Sequence, residues 1–210
     1  MTIVSRRKFI TGASAMTASI SAFDGPALSA AAGNQFDLSR PLEGWESISG
    51  QWTIQSVAGA SRNGMALVQG ATDNEYNVII APGGPYRDVR VSVRFRPMSG
   101  REDASGGLVF RFSEGRYYLV RANALEDNFR LYYFDRGRRM LSTTSIKAPA
   151  LGQWHQLQIT AQRDRIQGWL NEQALIDERD ARFASGRIGL WTKADSITAF
   201  DELTVVPMDN

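Results

Sequence analysis

The chain has 210 residues, 43% apolar and 22% charged, a balance that suits a globular fold with a buried core. It holds no cysteine and a single histidine, His155. That excludes disulfides, thiolate zinc sites, iron–sulfur clusters and a cysteine nucleophile, and leaves little for a multi-histidine metal site or a Ser/His/Asp triad. The formal net charge of +2 resides in residues 1–32, where Arg6, Arg7 and Lys8 are opposed only by Asp24. The rest is formally neutral, so neither nucleic acid nor a membrane surface is an expected partner.

In chain order the first element is a leader. Ser5-Arg6-Arg7-Lys8-Phe9-Ile10 precedes a mildly apolar stretch to Phe23, diluted by Thr11, Gly12, Ser14, Thr17, Ser19 and Ser21. Small residues follow, with cleavage expected after Ala30 or Ala32. The order Ser-Arg-Arg-x-Phe-Ile resembles the bacterial twin-arginine (Tat) motif, which is an address and not an anchor. The stretch is too short and too rich in hydroxyls for a membrane span, which needs about 20 apolar residues. Residues 1–32 are thus expected to be a Tat signal peptide, with the Tat translocase as a partner during export to the periplasm or beyond. The residues that would load a metal or iron–sulfur cluster are missing, so the expected reason for that route is fast folding, with no cofactor.

Beyond the leader no segment sustains the i, i+3, i+4, i+7 apolar spacing of a helix over three turns. Period-2 alternation recurs instead, in short runs divided by Gly, Asn, Asp and Pro. The expected strands are Trp52–Val57, Met65–Gln69, Asn77–Ile80, Asp88–Pro97, Gly107–Ser113, Arg116–Ala124 and Phe129–Asp135. They continue with Arg138–Ser145, Trp154–Arg163, Arg165–Asn171, Gln173–Asp177, Ser185–Thr192 and Ile197–Val205. Turn signals such as Pro82-Gly83-Gly84-Pro85, Glu114-Gly115 and Asn171-Glu172 separate them. About a dozen strands without crossover helices predict an all-β, antiparallel two-sheet sandwich, one domain over residues 33–210.

Several segments carry a family likeness. Trp45 with Ser49-Gly50-Gln51-Trp52, Gly106 to Arg111, Tyr117 to Asn123, Gly152 to Leu157, Gly186 to Trp191 and Phe200-Asp201-Glu202-Leu203 resemble the concanavalin A-like lectin/glucanase jelly roll. The closest branches are laminin-G-like domains and the bacterial 3-keto-disaccharide hydrolase-like domain. The resemblance spans about Phe36 to Val205. It implies a jelly-roll sandwich whose concave sheet takes ligands, but one such fold hosts many activities.

Alternation sorts the faces. Leu108, Phe110 and Phe112 are expected in the core, with Val109 and Arg111 opposite. Tyr118, Val120 and Ala122 leave Tyr117, Leu119, Arg121 and Asn123 outside. Phe129, Leu131 and Tyr133 leave Asn128, Arg130 and Tyr132, while Ile188, Leu190 and Thr192 leave Gly189, Trp191 and Lys193. The resemblance implies that these outward sets belong to the concave sheet. Arg111, Arg121, Asn123, Arg130, Tyr132, Trp191 and Lys193 are therefore the expected substrate-binding residues. Aromatic rings pack on the apolar face of a pyranose, and Arg and Asn donate to hydroxyls or to a carboxylate or sulfate. The competing account is that the arginines are ordinary solvated residues held by Glu114, Glu126 and Asp127.

No spacing marks a catalytic pair. The Glu-x-Asp-x-x-Glu pattern of laminarinase-type enzymes is absent, and Trp154-His155-Gln156 is not the Gln-x-His of jelly-roll alginate lyases. Loop carboxylates such as Glu126 and Asp127 remain the material for an enzyme, since a glycosidase needs two carboxyl groups a set distance apart. His155, in phase with Leu157 and Ile159, is expected on the core side and hydrogen-bonded. Asp37 with Asp201 and Glu202 offers hard oxygen ligands for a structural calcium, without a contiguous calcium loop. The Arg136-Gly137-Arg138-Arg139 cluster reads as an exposed hairpin tip. The leading expectation is an exported, non-catalytic domain that binds an oligo- or polysaccharide, acidic ones included. The alternatives are a saccharide or 3-keto-glycoside hydrolase and a laminin-G-like protein-interaction domain.

Overall fold

Each alternating run has one face to bury, and two stacked sheets bury all of them at once. The computed structural model describes residues 33–208; the expected signal peptide, residues 1–32, lies outside the described residues. Fifteen strands follow one another: β1 (Asn34–Phe36), β2 (Glu46–Ser49), β3 (Trp52–Ser56), β4 (Met65–Gln69), β5 (Tyr76–Ile80), β6 (Val89–Ser99), β7 (Ser105–Ser113), β8 (Arg116–Asn123), β9 (Glu126–Phe134), β10 (Arg138–Ser145), β11 (His155–Gln162), β12 (Arg165–Leu170), β13 (Gln173–Arg179), β14 (Arg187–Lys193) and β15 (Ile197–Pro207). No helix interrupts them among the described residues. The expected all-β, antiparallel two-sheet sandwich is the observed fold.

The back sheet runs β13-β12-β11-β6-β15-β4-β3, with β1 paired to β15 beside this path. The front sheet runs β10-β9-β8-β7-β14-β5-β2. Between them lies the core, with Val91, Val93, Phe95, Leu157, Ile159, Phe200 and Val205 from the back and Leu108, Phe110, Tyr118, Val120, Phe129, Leu131 and Leu190 from the front. Each such side chain, moved from water to this interior, contributes about 1.5–3 kcal/mol. Hairpin β7–β8 closes through Glu114 (φ +50°) and Gly115 (φ +76°), the pair of positive φ values that a type I′ turn requires.

Several bulges interrupt the pairing, and two of them decide which side chains reach the core. In β15, Glu202 at φ +51° inserts an extra residue, which lets Phe200 and Leu203 both reach the core although they are three apart. In β7, Arg111 takes φ +53° within a register shift between Phe110 and Ser113. Past that point the faces exchange. Phe112, expected in the core, packs on the outer face of the front sheet, and Arg111, expected outside, turns into the end of the sandwich. There it is 1% exposed and donates to the backbone carbonyls of Arg87, Arg163 and Phe183.

Candidate functional site

The front sheet carries a second apolar cluster on its outer face: Val78, Ile80, Val109, Tyr117, Leu119, Tyr132 and Trp191, with Tyr76, Phe112 and Phe134 packed against it. Tyr76 on β5 and Phe134 on β9 stand four strand spacings apart, about 19 Å in a flat sheet. Their ring centroids are 5.8 Å apart, so the sheet curls and its outer face becomes a groove. Within it Tyr117 stacks on Phe134 at 5.0 Å and Tyr76 stacks on Trp191 at 5.8 Å. A cleft of about 330 Å³ opens beside them, lined by Tyr76, Val78, Phe112, Tyr117 and Phe134 with Asn74 and Glu75 among its polar residues. Burial raises the Tyr117 hydroxyl far above its ordinary pKa, and the nearby Tyr76 adds to this. Burial likewise raises Tyr76, aided by its hydrogen bond with Glu75, so both phenols stay neutral.

A basic cluster adjoins the aromatics. Cross-strand pairing sets Arg121 directly opposite Arg130. Arg121 Nη2 donates to Glu126 Oε2 at 2.7 Å and to the Tyr132 hydroxyl at 3.4 Å. Arg130 Nη1 donates to the same hydroxyl at 3.2 Å and lies 3.4 Å from Glu126 Oε2, which also accepts from Asn128 Nδ2 at 3.0 Å. Burial alone would raise the Glu126 carboxyl. The hydrogen bonds from Arg121 and Asn128 and the two guanidinium charges outweigh it and hold the pKa below the usual range. From β10, Arg138 lays its guanidinium 4.7 Å over the Tyr132 ring and within 5.4 and 5.9 Å of the Tyr76 and Trp191 rings. Among the described residues, Arg121 Nη1, Arg130 Nε, Arg138 Nη1, Asn128 Oδ1 and Trp191 Nε1 are buried without a hydrogen-bond partner, although the indole N–H leans toward the Tyr117 hydroxyl. Three guanidiniums and one carboxylate thus surround a single tyrosine, with several N–H donors buried beneath the groove surface.

The sequence profile of the 3-keto-alpha-glucoside-1,2-lyase-like domain matches residues 33–206. This chain belongs to that family. Levanase of Bacillus subtilis is 23% identical over 168 residues, covering 78% of this chain and 23% of that protein. The chain therefore spans about a quarter of the length of the curated relative it matches. In structure, this 3-keto-alpha-glucoside-1,2-lyase-like domain is similar to the carbohydrate binding module CBM66 from Bacillus subtilis. The TM-score is 0.66 at 20% identity, covering 79% of this chain and 97% of that one. It is also similar to the VIP36 exoplasmic/lumenal domain in its Ca2+/Man3GlcNAc-bound form, with a TM-score of 0.61 at 10% identity over 83% of this chain and 89% of that one. These likenesses show that the chain shares their two-sheet sandwich fold.

Of the seven residues expected to bind substrate, the groove brings together Arg121, Arg130, Tyr132 and Trp191. Trp191 is only 1% exposed, covered by Tyr76 and Arg138, so its ring lies beneath the groove surface and is not a free stacking platform. Arg111 is not in the groove, for the bulge rotates it to the other face. Asn123 is buried at the end of β8, where Oδ1 accepts from the backbone N–H of Ala104 and Leu125 and ties two loops together. Lys193 sits at the far end of β14, 3.4 Å from Glu102 and 3.7 Å from Asp103, which balance its charge. The residues that sequence reasoning passed over are Tyr76, Phe134 and above all Arg138. Their signal was present: Phe134 is in phase with Tyr132, and Arg138 opens a strand and is the register partner of Phe134. The expected exposed hairpin tip holds for Arg136 and Arg139, whereas Arg138 is half-buried over the Tyr132 ring.

The remaining candidates lie elsewhere. Asp127 follows Glu126 along a strand and faces the opposite way, its Oδ1 accepting from Ala148 N at 3.2 Å, so the two carboxylates do not converge. His155 packs on Phe95 in the back sheet, with Nε2 3.0 Å from Ala150 O and Nδ1 3.1 Å from Asn171 Nδ2. Asp37 pairs with Arg40 and Arg62, and Asp201 and Glu202 with Arg94. Among the described residues no three His, Cys, Asp or Glu side chains gather as a metal site would require.

Proposed function

We propose that this domain binds a saccharide in the front-sheet groove without turning it over. The observation that carries the reading is the aromatic cleft, whose Tyr76 ring also stacks with Arg138, next to a cluster of guanidiniums that keep unpaired N–H groups among the described residues. Rings of that kind pack on the apolar face of a sugar, and directed donors meet its hydroxyls. A carbohydrate binding module and a lumenal domain in a Man3GlcNAc-bound form among the similar structures support the reading, as does the match to part of a levanase. A glycan array that includes neutral and acidic oligosaccharides tests it with the wild type and the Arg130→Ala/Phe134→Ala double variant. Binding that disappears in the variant is the expected result. Absence of any bound glycan, or binding unchanged in the variant, overturns the proposal.

The family supports a second reading, in which the groove turns over an oxidised glucoside. Cleavage of the kind its description names removes the proton on C2, acidified by the C3 ketone, and expels the C1 oxygen. Such a step needs a base, and Glu126, ionised and held by Arg121 and Arg130, is the carboxylate at the basic cluster. Incubation with 3-keto-glucosides decides between the readings: release of free sugar that is lost in Glu126→Gln favours turnover. The laminin-G-like alternative has less support. The exposed large apolar residues Ile48, Met98, Leu125, Met140 and Leu151 fall on five different segments.

A further inference from the structure

We propose that the saccharide carries an acidic group, a carboxylate or a sulfate, seated between Arg121, Arg130 and Arg138. The inference rests on the reading of the groove as a saccharide site and adds the chemical class of the ligand. All three guanidiniums touch Tyr132, two through its hydroxyl and one across its ring face. Against three positive charges stands one carboxylate, Glu126. The other charges nearby do not balance the excess. Glu75, exposed and hydrogen-bonded to Tyr76, forms no ion pair with the three guanidiniums, while Lys193 is matched by Glu102 and Asp103.

Each of the three guanidiniums keeps a buried N–H without an acceptor: Nη1 of Arg121, Nε of Arg130 and Nη1 of Arg138. Arg121 is the most telling, with its side chain 3% exposed and one of its terminal nitrogens unused. A buried, charged donor without an acceptor is costly, so each calls for an acceptor, and three that converge on one tyrosine suit a shared ligand group. Neutral hydroxyls would accept some of these hydrogen bonds but leave the charge uncompensated. A planar carboxylate or a sulfate answers both, through two-point contacts with guanidinium. Asn128 Oδ1, the one unpartnered acceptor of the cluster, calls for a donor beside the acidic group, such as a ring hydroxyl.

These N–H groups are shielded from solvent in the free domain, so the ligand has to reach them. Arg138 is the movable cover. Among the described residues it has no ion pair, and stacking on Tyr132, Tyr76 and Trp191 is what holds its guanidinium in place. The acidic group displaces it from the Tyr132 face, meets Arg121 and Arg130, and takes Arg138 as its third donor.

The test uses the full chain and an array of uronate oligosaccharides, each beside its neutral methyl ester, with sulfated oligosaccharides of the same length as a separate arm. Affinities are measured by calorimetry in low and in high salt. The expected result is at least tenfold tighter binding of an acidic form than of its neutral partner, shrinking in high salt and lost in Arg138→Gln. The tighter of the carboxylate and sulfate arms identifies the acidic group. Arg138 is half-buried on an edge strand, and circular dichroism checks that the variant folds. Esters that bind as tightly as the acids overturn the inference and leave the saccharide groove standing. If no oligosaccharide of either kind binds, the groove reading falls and the inference with it. An acid preference that survives both Arg138→Gln and Arg130→Gln also overturns it.

Discussion

Replacing Arg111 by methionine tests the role assigned to the bulge in β7. Methionine keeps the length and apolar stem of the side chain and removes the fork. Three backbone carbonyls then lose their donor: Arg163 O at 2.7 Å, Phe183 O at 2.9 Å and Arg87 O at 2.9 Å. An orphaned buried acceptor costs about 1–3 kcal/mol, so three cost about 3–9 kcal/mol if all remain dry. Two effects pull the figure down. Burial already penalises the guanidinium, as the lowered Arg111 pKa shows, and water can enter a cleft beside Arg87 and Arg163. Asp88, 3.7 Å from Arg111 and buried, loses its counter-charge and pulls the other way. The expected net loss is therefore about 3 kcal/mol, toward the low end of that range. In urea, with a slope of about 3 kcal/mol per molar, this lowers the midpoint by about 1 M with the slope unchanged. Arg111→Lys, which keeps the charge but has no fork, should not restore the midpoint. A shift below about 0.3 M for methionine, or full rescue by lysine, would refute the claim that the three carbonyls depend on the fork.

Gly107→Ala should distort the groove, because its Cβ would lie 2.8 Å from Leu119 Cδ1 and 3.2 Å from Trp191 Cε3. An altered near-UV spectrum and a loss of about 1–3 kcal/mol are expected, as for other overpacked sites; an unchanged spectrum counts against the packing. Burial would raise the Asp195 carboxyl, but backbone N–H groups of Arg101, Asp103 and Glu102 outweigh it and hold the pKa down. That stabilisation is present above the unfolded Asp value of about 4 and disappears as pH falls through the lower folded pKa. Denaturation midpoints of wild type and Asp195→Asn should therefore differ at pH 7 and converge in strong acid; a gap constant with pH contradicts this. For the leader, Arg6→Lys/Arg7→Lys should leave the protein in the cytoplasmic fraction, and normal export of that variant removes the twin-arginine assignment.

Alternation made most of the sandwich legible because each strand has one face to bury and short polar turns to end it. Met65–Gln69 and Arg138–Ser145 are found where they were expected. Strands β1 and β2, only three and four residues long and largely exposed, carry no periodic signal to read. Half of the groove followed from phase alone, since Arg121, Arg130 and Tyr132 lie on the side opposite Val120 and Leu131. What phase cannot register is an inserted residue, so Arg111 and Phe112 were assigned to each other's faces. Nor can it register curvature. A flat front sheet would have left Trp191 open, whereas the curl brings Tyr76 and Arg138 over it from strands on either side.

The pairing of β1 with β15 bears on how such a domain can be joined to other polypeptides. Asn34 stands opposite Val205, so the described segment enters and leaves at neighbouring points of the back sheet. A unit with its doorway and its exit side by side can be spliced into a surface loop of another protein with little stretching of either. The groove lies on the outer face of the other sheet.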